Sequence, residues 1–174
     1  MVEVFLLLGS NMGDRQRFLN EATRLLQERA GTILKRSSIY ETEPWGHTNK
    51  NNFLNQVLLV ETSLNPYELL KVIKAIETKL GRTRKAQRYS PRCIDIDILF
   101  YNDEVYFSDD LVIPHPRLHD RMFTLVPLNE IAPDYLHPIL KKTIRKLIND
   151  CDDKLAVRKV KGSLHRQNCK KSYR

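Results

Sequence analysis

A chain of 174 residues is long enough to bury one hydrophobic core and too short for two comfortable domains. Its apolar runs fall far short of the roughly 20 residues of a membrane helix, and the first expected strand follows Met1 so closely that no signal peptide is expected. Three cysteines (Cys93, Cys151, Cys169) without a CxxC spacing argue against a disulfide framework and a zinc site, which suits a reducing cytoplasm. The net charge of +8 is local: residues 154–174 hold eight Lys and Arg and no acid, leaving 21 bases and 21 acids before them. The expected organisation is therefore one domain over 1–153 and a basic tail over 154–174. The tail reads as a solvated, partly disordered end, with weak attraction to RNA or anionic surfaces as the sharper alternative.

Along the chain, the apolar run at 2–9 reads as a buried strand, followed by the turn residues GSNMGD and Asp14 at an N-cap position. Phe18, Leu19, Ala22, Leu25, Leu26 and Ala30 keep a helical i, i+3, i+4 spacing, and Gly31 stops that helix. Residues 32–43 read as a second strand and 53–62 as a third, with the loop PWGHTNKNN between them. Asn65 and Pro66 begin a second helix through Leu80, whose inner stripe is Leu69, Leu70, Ile73, Ile76 and Leu80. The fourth strand is SPRCIDIDILFY, 90–101. This order is the βαββαβ, ferredoxin-like sandwich of the α+β class: a mostly antiparallel sheet with helices on one face, leaving the other face for a site. After Tyr101 the pattern suggests extra C-terminal elements: a turn or hairpin, helical pieces over 122–131 and a helix over 140–149.

Within the fourth strand, Asp95 and Asp97 alternate with Ile94, Ile96 and Ile98, so the carboxylates share one face and the isoleucines the other. Directly upstream, Arg82, Arg84, Lys85, Arg88 and Arg92 crowd into eleven residues. Two readings are open for the pair: structural ion pairs with these arginines, or oxygen ligands for Mg²⁺, which commonly shares its shell with substrate phosphates. In the second case the arginines suit the remaining phosphate oxygens, and the combination points to phosphoryl-type chemistry. A GxxxxGK[ST] loop is absent from the sequence. Trp45, Phe53 and Asn55 have the makings of a slot for a flat heterocycle, with aromatic faces for stacking and an amide for a polar edge. Phe53 and Phe123 also suit ordinary core positions. VIPHPRLHDRMF (112–123) adds His115, Arg117, His119 and Arg121 in a proline-stiffened segment.

RYSPRCIDIDILFY and VIPHPRLHDRMF, together with LGSNMGD and the YET.P.G segment, resemble the 6-hydroxymethyl-7,8-dihydropterin pyrophosphokinases of folate biosynthesis, in order, over about residues 2–135. The resemblance implies transfer of diphosphate from the co-substrate ATP to the pterin's hydroxymethyl oxygen, with attack at the β-phosphorus and release of AMP. It implies that Asp95 and Asp97 hold two Mg²⁺ ions, and that Arg82, Arg84, Arg88 and Arg92 belong to a catalytic loop closing on ATP. Arg82 and Arg92 are then catalytic, with Arg92 and Arg121 on phosphate. Glu77, Tyr89, His115 and the Ile98 backbone fall at the nucleotide. Thr42, Pro44, Trp45, Phe53, Asn55, Asp95 and Phe123 fall at the pterin, with Phe53 and Phe123 on its two sides. The chain departs from the family pattern at Tyr89 and Ser90, where Trp-Gly is usual, at Glu43, and at Trp45, where an aliphatic residue is common. Two routes are open for activating the hydroxyl: metal coordination or Asp97. A monomer without membrane contact is expected. The competing classes are a nucleic-acid-binding ferredoxin-like module, against which a bare carboxylate pair argues, and a pterin- and ATP-binding homologue without catalysis.

Overall fold

The computed structural model describes residues 1–44, 51–81 and 93–161. The apolar opening forms β1 (Val2–Ser10), and Asp14 accepts from the Arg17 N–H to cap α1 (Arg15–Arg29), which buries Leu19, Ala22, Leu25 and Leu26. β2 (Thr32–Arg36), β3 (Tyr40–Thr42) and β4 (Phe53–Thr62) follow, then α2 (Pro66–Lys79), begun by Pro66 and a reciprocal capping box between Asn65 and Glu68. The chain continues through β5 (Asp95–Tyr101), the hairpin of β6 (Tyr106–Phe107) and β7 (Val112–Ile113), a 3-10 turn at Leu118–Asp120, α3 (Met122–Ile131), α4 (Ile144–Asp150) and β8 (Val157–Lys159).

The main sheet runs β5-β1-β4-β3-β8, with β2 also on β4, and every pair is antiparallel. The order β5-β1-β4-β2, with α1 and α2 as the crossovers, is the expected ferredoxin-like arrangement. On one face Leu6, Leu8, Leu58, Val60, Ile96 and Ile98 pack against the inner stripes of α1 and α2. Phe5 lies opposite Phe100 while Leu6 lies opposite Ile98, so Leu99 is an extra residue in β5. This bulge shifts the side-chain phase, and Tyr101 joins Ile98 on the helix-covered side.

Three expectations are corrected. The strand expected over 32–43 is two strands: between them the Ser37 hydroxyl accepts from the Val57 N–H and the Ser37 N–H donates to the Val57 carbonyl, so a side chain replaces part of the ladder. The second sheet face is not helix-free, because Phe5, Leu7, Val57, Leu59 and Phe100 are covered by Leu118, Leu125, Leu128, Ile144 and Leu147. Among the described residues, the end of that face toward Asn55 and Asp95 lies beyond this apolar cover. The last helix begins at Ile144 rather than Leu140, where Thr143 caps it by accepting from the Lys146 N–H. In addition, the first part of the basic tail is structured: β8 lines the sheet edge, with Tyr40 opposite Lys159 and Thr42 opposite Val157.

His137 plugs this second layer, its ring edge-on to Phe100 at 5.3 Å and its Nδ1 accepting from the Ile139 and Leu140 N–H groups. Burial, reinforced by the neighbouring His119, pushes it down to about 4. Between pH 6.5 and 4 the unfolded chain takes up a proton that the folded chain refuses, so the stability is complete above pH 6.5 and is lost as the pH falls toward 4. His137→Asn keeps a short acceptor and cannot charge; urea denaturation across pH 4–7 should show a flatter stability profile in this variant than in the wild type.

Candidate active site

The site is laid out by strand register. Tyr40 lies opposite Asn55, Asn55 opposite Gly9, and Gly9 opposite Asp95, giving one row across four strands; one step inward, Leu7 lies between Val57 and Asp97. Directly opposed residues in antiparallel strands share a face. The face is therefore apolar beneath α3 and α4 and turns polar at the open end, with Asp95 and Asp97 half-buried on edge strand β5. Gly9 leaves the middle of the row without a side chain: a Cβ there would stand 3.1 Å from the Asn55 amide oxygen.

On the β3–β4 side, Thr42 lies opposite Phe53 and its hydroxyl accepts from the Asn55 amide at 2.8 Å, and both polar residues are only 3% exposed. Burying this pair costs little because each satisfies the other. Phe53 remains partly accessible, as does Pro44. Arg15 ties β3 to the residue before β4: its guanidinium donates to the Glu41 carboxylate at 2.9 Å and the Asn52 carbonyl at 2.7 Å. On the β5 side, Glu77 of α2 is buried and accepts from the Ile96 N–H at 2.9 Å, fixing the backbone between the two aspartates. That N–H points off the sheet edge, and Ile98, two residues on, presents its backbone to the same edge while its side chain sits in the core.

His115 is delivered to β5 by the bulge: its N–H donates to the Leu99 carbonyl at 3.0 Å, and its Nδ1 accepts from the Arg117 N–H at 3.2 Å. Burial, followed by the Arg121 charge, pushes its pKa down to about 4 despite the opposing pull of Asp95. The imidazole is thus neutral at pH 7 with Nε2 as its donor, and it feels both Arg121 and Asp95. Arg121 precedes α3 and stacks its guanidinium 5.5 Å from the centre of the Phe123 ring, while Asp153 accepts from the Met122 N–H at 2.9 Å to anchor that helix start.

The described sites thus converge on one end of one sheet face from β3, β4, β5, the segment after β7 and the start of α3. Trp45, Arg82, Arg84, Arg88, Tyr89 and Arg92 lie outside the described residues. Sequence reasoning missed Gly9, which it took only as a turn residue, and Arg15, for which a lone arginine in a helix's first turn gives no signal. Among the described residues no group of three or more His, Cys, Asp or Glu is placed to hold a metal ion. Two carboxylates on one strand face still fit a hard cation such as Mg²⁺, which takes few protein ligands and completes its shell with water and phosphate. No helix among the described residues is long and apolar enough to cross a membrane.

Comparison with known proteins gives a consistent picture. Residues 5–133 match the model of the 7,8-dihydro-6-hydroxymethylpterin-pyrophosphokinase family. The chain is 48% identical over 129 residues to the 2-amino-4-hydroxy-6-hydroxymethyldihydropteridine pyrophosphokinase of Bacillus subtilis, covering 74% of this chain and 77% of that protein. It is 46% identical over 146 residues to the protein of the same name from Aquifex aeolicus, covering 84% and 90%. The fold is shared with the HPPK-DHPS of Plasmodium falciparum at a TM-score of 0.72 and 22% identity, over 86% of this chain and 44% of that one, so this chain spans less than half of that protein.

The Glu77–Ile96 bond is testable by substitution at Glu77. Glu77→Ala strands a backbone N–H beside the aspartates and should cost about 1–3 kcal/mol in urea denaturation, whereas Glu77→Gln keeps an acceptor and should cost much less. Equal losses in the two variants would contradict the assignment.

Proposed function

Because the chain belongs to the 7,8-dihydro-6-hydroxymethylpterin-pyrophosphokinase family, it is an enzyme that transfers a pyrophosphoryl group from ATP to hydroxymethyldihydropterin in folate synthesis, and we propose the following division of labour among its residues. The pterin lies between Phe53 and Phe123, its polar edge read by Asn55 and Thr42, with Pro44, Trp45 and Asp95 closing the slot. ATP lies along the β5 edge, its adenine against the Ile98 backbone and its phosphates near His115 and Arg121. The row that places Asn55 and Asp95 on either side of Gly9 is the observation that carries this reading. It sets a heterocycle-reading amide and a phosphate-side carboxylate on one face, with a glycine between them that adds no side chain of its own.

Asp95 and Asp97 are the proposed ligands of two Mg²⁺ ions. Bound there, the ions supply Lewis-acid neutralisation of the charge that builds on the phosphates. The protein's own part is positioning. Glu77 holds the aspartates' strand at the Ile96 N–H, and the neutral His115 offers Nε2 as a donor without adding charge. Arg121 keeps its guanidinium beside Phe123 and near His115, where it can donate to a phosphate. Arg82, Arg84, Arg88 and Arg92 close over the triphosphate with Tyr89. The pterin's hydroxymethyl oxygen gives up its proton to solvent and bonds to the β-phosphorus as the bond from that phosphorus to the α–β bridging oxygen breaks, and AMP leaves. A monomer in a reducing cytoplasm is the accompanying expectation.

Incubation with ATP, Mg²⁺ and 6-hydroxymethyl-7,8-dihydropterin should yield AMP and the pterin diphosphate in equal amounts; ADP as the nucleotide product would contradict the reaction. Asp95→Ala and Asp97→Ala should each lower kcat by on the order of 10²–10³-fold or more while remaining folded, since each change also removes a like-charge repulsion. Near-normal turnover in either variant would remove that residue from the metal assignment.

A further inference from the structure

Glu130 stands outside the substrate-contacting set, yet its carboxylate gathers more hydrogen bonds than any surface ion pair needs. It accepts from the Ser38 N–H at 2.9 Å, the Ser38 hydroxyl at 2.8 Å, the Tyr40 hydroxyl at 3.0 Å and the Lys159 ammonium at 3.2 Å. These donors come from the approach to β3, from β3 itself and from β8. One residue further on, the Ile131 carbonyl accepts from Lys35 of β2. The donors outweigh the cost of partial burial, so the Glu130 carboxyl is held below the usual carboxylate range, and Tyr40, mainly through burial, is pushed up to about 12. A half-exposed pair with one lysine would contribute little. A carboxylate that satisfies a backbone N–H and two hydroxyls at once instead fixes where its helix lies.

Phe123 and Glu130 are seven residues apart in α3, hence on the same side of the helix and about 10 Å apart along it. Phe123 and Arg121 stand at one end of that helix, and Glu130 ties the other end to β3. The β3 residues it holds are coupled to the opposite wall of the slot: Tyr40 lies opposite Asn55, and Thr42 lies opposite Phe53 and is bonded to Asn55. Resting on the substrate assignment above, we propose that Glu130 is a positioning residue for the pterin end of the site, setting the separation between the Phe123 wall and the Phe53–Asn55–Thr42 wall. β8 takes part through Lys159, so the beginning of the basic tail supports the slot.

The decisive readout is which kinetic constant moves. Glu130→Ala should raise KM for the pterin by about 10-fold or more, since sub-ångström misplacement of a binding wall is costly. KM for ATP should stay within about twofold, and kcat at saturating pterin within about threefold. Glu130→Gln, which keeps one acceptor, should recover part of the pterin affinity, and Tyr40→Phe, which removes a single donor, should show a smaller, pterin-selective rise. An unchanged pterin KM in folded Glu130→Ala overturns the proposal, as does a parallel loss in both KM values and kcat, which is the mark of a merely structural role. If Glu130→Ala does not fold, Tyr40→Phe and Ser38→Ala decide, and an unchanged pterin KM in both overturns it. Absence of AMP formation by the wild type would instead refute the substrate assignment, so the two failures are distinguishable.

Discussion

The register of β1 between β4 and β5 is the constraint on which the site depends. With Gly9 opposite Asn55 on one side and Asp95 on the other, the period-two alternation of all three strands puts amide and carboxylates on one face and the isoleucines on the other. A slip of one residue in β5 would send Asp95 and Asp97 into the apolar layer beneath α1 and α2, where unpaired carboxylates cost several kcal/mol each. The isoleucine face thus enforces the geometry of the aspartate face. The bulge at Leu99 ends that arrangement where it is no longer needed: it returns Tyr101 to the helix side and offers the Leu99 carbonyl to His115.

The second layer bounds this row on its apolar side. α3 and α4 cover the apolar part of the face and stop short of the polar end, and α3 brings Arg121 and Phe123 to the boundary. Asp153 holds the start of that helix and Glu130 its end. One wall of the site is therefore strand-built and fixed by register, while the other is a helix fixed by carboxylates at its two ends. Burial keeps His115 neutral between the acidic and basic sides.

Much of this was legible in the sequence because it rests on periodicity. The Ile–Asp alternation of β5, the stripes of α1 and α2 and the caps at Asp14 and Asn65 each express a local rule, and each stands in the structure. The ordered motifs identified the family, and they named Thr42, Phe53, Asn55, Asp95, His115, Arg121 and Phe123, which gather at one end of the sheet. What was not legible depends on tertiary partners. α3 is apolar on most sides and contains Pro127, so no amphipathic stripe announced that it would cover the second face. The break in the strand over 32–43 comes from the Ser37 side chain pairing with Val57, twenty residues away. β8 is three residues within a basic run, and its strand character comes from the free edge of β3. Glu130 carried no signal because its donors lie about 30 to 90 residues distant in sequence.

The central claim is that the Gly9 row divides one sheet face into a pterin side and a phosphate side. A crystal structure with 6-hydroxymethyl-7,8-dihydropterin, Mg²⁺ and a non-hydrolysable ATP analogue measures this directly. The account predicts the pterin between Phe53 and Phe123 with its polar edge on Asn55, and the metal on Asp95 and Asp97 between pterin and triphosphate. A pterin bound away from Asn55, or metal ions held without either aspartate, would contradict it.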